Sequence, residues 1–181
     1  MYLGIIFLTF FGDSTMIILG IDPGLAIVGW GVVEYENAKF RVLGYGSINT
    51  PAGMSTPERL SRIDLGLKEI IEKYRPTELA VEELFWNTNQ TTGIRVAEAR
   101  GVILCRGFNE RLNISEYTPL QVKQSVVGYG RADKKQVISM VTMLLKLPAP
   151  PKPDDTADAL AIAICHAHTG GSRISKYYNV K

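Results

Sequence analysis

Residues 17–21, Ile-Ile-Leu-Gly-Ile, carry no polar side chain and stop abruptly at Asp22-Pro23-Gly24. A short apolar run, rich in β-branched residues and closed by a turn-forming triplet, reads as a strand buried on both faces. Such a strand needs neighbours on either side and covering layers above and below, and that need organises the rest of the chain.

Residues 27–35 and 40–50 read as two more strands around the turn Glu36-Asn37-Ala38-Lys39, giving an antiparallel meander. Residues 57–74 change to a helical period, with Leu60, Ile63, Leu67, Ile70 and Ile71 on one face. Pro57 suits an early helical position and Pro76 ends the segment. A fourth strand spans 78–84, followed by a polar loop at 87–92 and a helix capped by Thr91 or Thr92 that runs to about Leu112. A fifth strand spans 114–118. Helices then occupy 119–127, 134–147 and the Ala-rich segment 155–168, divided by Gly128-Tyr129-Gly130 and the prolines of 148–153. The last two strands are each entered through a helix and so run parallel to the first. The reading is an α/β chain: a mixed five-stranded sheet, three strands antiparallel plus two parallel, with helices on both faces.

A chain of 181 residues suits one domain. Met16 directly precedes the first strand, so residues 1–15 are read as an extension to a natural start at Met16. Residues 16–168 form the domain and residues 169–181 a flexible tail. The apolar stretch at 1–11 is too short for a bilayer, which takes about 20 residues. It also lacks the basic segment and cleavage site of a signal peptide. No membrane association is expected. Hydrophobic residues make up 46% and charged residues 21%, which argues against a disordered chain. Cys105 and Cys165 have neither metal-binding nor redox spacing; both are expected to be small buried hydrophobes in a reducing compartment, the cytoplasm.

The acids carry the chemistry. Asp22 closes the first strand and Glu82 the apolar part of the fourth, so both arrive at the carboxyl ends of parallel strands, where sites of such sheets collect. Asp155 and Asp158 are spaced i, i+3 at the start of the last helix and share a face. Taken singly, each has a plain alternative: a turn former, a solvated strand end, or acids favoured at a helix N-terminus. Taken together they make an oxygen-rich pocket suited to a hard cation such as Mg²⁺. Two ions about 3.5–4 Å apart would activate water and stabilise a leaving oxygen in phosphoryl displacement. No Ser-His or Cys-His pair stands at a useful position as a rival nucleophile. His166 and His168, at i, i+2, point to different helix faces and are not read as metal ligands. The net charge is only +2, but Lys123, Arg131, Lys134 and Lys135 crowd the acidic positions: a polyanion would be drawn to the rim and a cation to the centre.

Ile17 to Gly24, Ala80-Val81-Glu82-Glu83 with Phe85, Ala99-Arg100-Gly101, Val122-Lys123-Gln124-Ser125-Val126-Val127-Gly128, Leu144-Leu145-Lys146-Leu147-Pro148 and Asp155-Thr156-Ala157-Asp158-Ala159-Leu160-Ala161 together resemble the RuvC family of bacterial Holliday-junction resolvases. The motifs fall in the family's order over about residues 16–168. The resemblance implies a ribonuclease-H-like fold, a homodimer, and Mg²⁺-dependent (or Mn²⁺-dependent) incision of four-way DNA junctions with two ions per site. Paired nicks would leave 5′-phosphate and 3′-hydroxyl ends. It assigns the catalytic and metal-binding roles to Asp22, Glu82, Asp155 and Asp158; some members carry His where Asp155 stands. It assigns DNA contacts to Phe85, as an aromatic beside the site, and to Lys123 and Lys134 near the scissile phosphates. Arg131 and Lys135 are rim contacts, and Tyr129 is another. The partner it implies is the RuvA–RuvB branch-migration complex. Residues 1–15 and the tail depart from the family's pattern.

Two other readings stay open at this level. Asp22-x-Gly24 followed by Gly29 and Gly31 loosely resembles the phosphate hairpin of actin-type ATP-binding domains, although that class uses two such domains around a cleft. A junction-binding protein without catalysis is the other, and the full acid set speaks against it.

Overall fold

The computed structural model describes residues 15–84 and 90–170. Phe85 and Trp86, residues 1–14 and residues 171–181 lie outside the described residues.

The sheet has the order β3-β2-β1-β4-β5, with β1 (Met16–Asp22) at its centre, as its apolar run requires. β2 (Ile27–Glu36) and β3 (Lys39–Asn49) continue it antiparallel on one side. β4 (Glu78–Glu82) and β5 (Asn113–Tyr117) continue it parallel on the other. Both parallel strands are entered through a helix, α1 (Thr56–Tyr74) and α2 (Gln90–Asn109). After β5 come α3 (Pro119–Val127), α4 (Lys134–Leu144) and α5 (Asp154–Gly170).

Strand side chains alternate between the faces, so β1 feeds two cores. Leu19 and Ile21 join Ile63, Leu67 and Ile103 under α1 and α2. Ile18 joins Val122, Val137, Leu160 and Ile164 under α3, α4 and α5. Helices cover both faces, as the sequence predicts.

Several boundaries differ from the sequence reading, each for a local reason. α2 starts at Gln90, so Thr91 and Thr92 fall within it instead of capping it. It stops at Asn109 because Arg111 turns left-handed at φ 60. α4 stops at Leu144, with Lys146 left-handed at φ 52, not at Leu147. α5 runs two residues past His168: Thr169 donates its hydroxyl to the Cys165 carbonyl at 2.8 Å, and its Oγ1 lies 2.9 Å from Tyr117 Oη. Cys165 is buried as expected, whereas Cys105 is exposed on the outer stripe of α2, where helical period alone does not tell an inner face from an outer one.

α5 rests directly on the sheet backbone. A Cβ at Gly20 would stand 2.2 Å from the Ala159 carbonyl oxygen, and one at Gly29 would stand 2.0 Å from that of Asp155. Only hydrogen fits at either place, and the alanines of α5 keep the approach close.

Candidate active site at the carboxyl end of the central strands

The alternation that puts Ile18 and Gly20 beneath α5 puts Asp22 on the same face. Ile21 pairs with Val81 across the parallel β1–β4 ladder, so Asp22 and Glu82 come next, side by side on that face. Across the antiparallel ladder Asp22 pairs with Gly29, the residue on which the Asp155 backbone rests. The α5 N-terminus therefore arrives over the two strand acids, with Asp155 and Asp158 in its first turns.

The four carboxylates feel one another. Burial, and then the charges of Glu82, Asp158 and Asp155, push the Asp22 carboxyl up to about 8, with Lys134 opposing. Burial and Asp158 push Glu82 up to about 7, against Lys123 and Lys134. Burial also raises Asp158, with Lys134 pulling the other way. The Lys134 ammonium lies 3.0 Å from Asp158 and 3.6 Å from Asp154, so it is the internal counter-charge of the cluster. Asp154, read from sequence as a cap or solvated acid, is exposed at the first position of α5.

Among the described residues, no three Asp, Glu, His or Cys side chains are gathered into a ready-made metal cage. The donor set nevertheless fits a hard divalent cation. It consists of carboxylate oxygens alone, and a cation among them would remove the repulsion and desolvation that hold Asp22 and Glu82 protonated near neutral pH.

Lys123, half-buried on α3, and Lys134, at the start of α4, line the same recess as Glu82 and Asp158. α4 begins there because the Asp133 carboxylate accepts the Gln136 N–H at 2.8 Å while the Gln136 side chain accepts the Asp133 N–H. Arg131, Lys135 and Tyr129 are exposed, but none lines this recess, and Lys135 faces another with Ile138 and Thr142. Phe85 lies outside the described residues.

Two positioning residues are not legible as such in the sequence. Arg100 on α2 donates Nε to the Glu82 carbonyl at 3.3 Å and pairs with Glu116, bracing the end of β4. Gly29 sets the seat of Asp155, and a glycine inside a strand pattern, which often marks a close approach, is the one signal that points to it. The histidines serve packing. His166 Nδ1 lies 2.8 Å from Tyr117 Oη, in the buried interior, and His168 lies 3.1 Å from Ser125 Oγ.

A five-stranded mixed sheet of this order, flanked by helices and carrying acids at the ends of β1 and β4, is a ribonuclease-H-like nuclease fold. The yeast mitochondrial Holliday junction resolvase shares the fold at a TM-score of 0.60 and 16% identity, over 83% of this chain and 78% of that one. The family model for crossover junction endodeoxyribonuclease RuvC matches residues 18–166, and the chain belongs to that family. The Alkaliphilus oremlandii enzyme of that name is 61% identical over 155 residues, 86% of this chain and 94% of its own. The Clostridioides difficile enzyme is 56% identical over 154 residues, 85% and 91%. The structure of Thermus thermophilus RuvC in complex with Holliday junction substrate aligns at a TM-score of 0.80 and 38% identity, covering 84% of this chain and 93% of that one. Membership sets aside the nucleotide-binding reading. No helix among the described residues is long and apolar enough to cross a membrane.

Proposed function

We propose that this protein resolves four-way DNA junctions by paired, symmetric hydrolytic nicks, with Asp22, Glu82, Asp155 and Asp158 as its catalytic and metal-holding acids. The observation that carries the proposal is the adjacency of Asp22 and Glu82 on the face that α5 covers with Asp155 and Asp158. The bound group is a pair of Mg²⁺ ions, with Mn²⁺ able to substitute. When bound, it supplies an activated water and charge neutralisation at the leaving oxygen. The four carboxylates hold it, and one of them orients the attacking water. Lys123 and Lys134 steer the scissile phosphate toward the acids, Arg131 and Lys135 attract the flanking backbone, and Phe85 stacks on an unpaired base.

A junction has two-fold symmetry, and paired nicks need two acid clusters. The outward stripe of α2 suits a homodimer: Ile94, Gly101, Cys105 and Phe108 share one helical face, and Phe108 is 76% exposed. The working setting is the cytoplasm, alongside the RuvA–RuvB complex. The nuclease domain runs from residue 16 to the end of α5 at Gly170, with residues 1–15 as an extension and 171–181 as a tail.

The test is Mg²⁺-dependent cleavage of a synthetic mobile four-way junction, with Asp22→Asn and a linear duplex as controls. Symmetric nicks in the junction alone, lost in the variant, support the reading. Tight binding without cutting by the unaltered protein would make it a junction-binding protein.

A further inference from the structure

Two recesses meet at the acid cluster. One, of about 160 Å³, holds Lys123 and Lys134 beside Glu82 and Asp158. The other, of about 380 Å³, is lined by the turn between β1 and β2 together with Arg59, Arg95 and Asp155. The function proposed above uses the first and, of the second, only Asp155.

The second recess is built. The Arg59 guanidinium donates Nε to Thr50 Oγ1 at 2.8 Å and Nη2 to the Thr50 carbonyl at 3.1 Å. Thr50 is tied in turn to the β1–β2 turn: its N–H donates to the Ala26 carbonyl at 2.9 Å and its hydroxyl to the Leu25 carbonyl. Arg59 is thus fixed in register with the turn that leaves Asp22. Its partners are neutral, so its charge is not cancelled. Arg95, on the early part of α2, is exposed. Among the described residues the ion-paired arginines and lysines are Arg41, Lys68, Arg100, Arg106 and Lys134; neither Arg59 nor Arg95 has a carboxylate partner, Asp155 included. Two guanidinium groups line one recess with a single carboxylate, Asp155, and neither is ion-paired to it, so the recess keeps positive charge to offer an anion. The planar fork of each matches phosphate oxygens.

We propose that Arg59 and Arg95 bind a backbone phosphate of the cleaved DNA strand, the one flanking the scissile phosphate on the side of the β1–β2 turn. This rests on the reading that junctions are cut at the four acids. The lysines hold the scissile phosphate at the acids and the arginines anchor its neighbour, so the strand's path across the cluster is fixed at two successive phosphates.

The experiment uses the full chain and synthetic four-way junctions carrying one neutral methylphosphonate linkage at successive positions around the cut. Binding is read in EDTA and cutting in Mg²⁺. At one flanking position, neutralisation weakens binding about tenfold, and Arg95→Ala weakens binding to the unmodified junction by a similar factor. The two changes together cost no more than either alone, because they remove the same contact. Arg95→Lys recovers part of the loss, and the salt dependence of binding by Arg95→Ala is shallower by about one phosphate contact. Arg95→Ala that binds and cuts like the unaltered protein, or losses that multiply at every position, overturns the arginine recess and leaves junction resolution standing. An unaltered protein that cuts no junction overturns both.

Discussion

The Lys134 ammonium stands 3.0 Å from the Asp158 carboxylate, a cation from α4 lodged against an acid of α5. On the proposed reading it competes there with the divalent ion for the same oxygens, while steering phosphate toward them. Lys134→Ala should therefore separate two effects. Cutting at saturating Mg²⁺ falls by about 10²-fold, the scale of one lost electrostatic contact to the reacting group. The Mg²⁺ concentration for half-maximal cutting falls as well, because the competing charge is gone. A titration of cutting against Mg²⁺ reads both, and a higher Mg²⁺ requirement in the variant would contradict the arrangement.

Asp22 ties pH to stability. Its carboxyl sits at about 8 in the folded chain, mainly through burial and then through its acidic neighbours. In the unfolded chain it titrates at about 3.9, the ordinary aspartate value of model peptides. Between those values the folded chain holds a proton that the unfolded chain has lost, so metal-free stability is greatest at the acid end and falls as pH rises toward 8. Glu82, at about 7, acts in the same direction over a narrower window. Asp22→Asn removes the larger part. In EDTA at pH 8 its melting temperature should exceed that of the unaltered protein by several degrees, with the gap closing toward pH 4. Mg²⁺ should raise the melting temperature of the unaltered protein far more than that of the variant. Cutting should vanish in the variant while junction binding persists; loss of binding as well would make Asp22 a structural acid.

Gly29→Ala probes the seat of Asp155. The new methyl would meet the Asp155 carbonyl oxygen at 2.0 Å, so the α5 N-terminus must move. Cutting should fall by about 10²-fold, the scale expected when a reacting group is displaced by about 1 Å. Helix content by circular dichroism should be retained. Gly53→Ala, where nothing lies within 4 Å of the added carbon, is the matched control and should cut normally.

Phe108→Glu tests the pairing of subunits. A side chain that is 76% exposed in the single chain contributes little to its core. The variant should keep its fold and melt near the original temperature, yet sediment as a monomer. It should also lose the coordination of its two nicks. A variant that remains dimeric would move the interface off α2.

The strand pattern and the acids were legible because both follow from short-range rules. Period two puts Asp22 on the face of Gly20, and the parallel ladder puts Glu82 beside it. The i, i+3 spacing of Asp155 and Asp158 needs only a helix. What the sequence hid depends on contacts between distant segments. Cys105 looked like a core residue because an apolar helix face does not announce whether a partner or solvent lies beyond it. The C-terminal end of α4 was misplaced because Leu144 to Leu147 reads as continuous helix until Lys146 turns left-handed. The link from Arg59 through Thr50 to Leu25 joins three segments that no local window spans. Lys134 was legible as a cation among the acids, but its hold on Asp158 emerges only when α4 and α5 meet.

The contact of α5 with bare strand backbone at Gly20 and Gly29 means that the spacing of the acids is gauged by main chain against main chain. Side-chain packing in the two cores lies to either side of that contact. Core substitutions can then be absorbed by rotamer adjustment without being transmitted to the carboxylates, so the chain can tolerate drift in its interior while the site stays in calibration. The same construction concentrates the vulnerability: one added carbon at Gly29 reaches Asp155 directly, and one at Gly20 pushes on α5 at Ala159, next to Asp158, with no soft layer in between to take up the error.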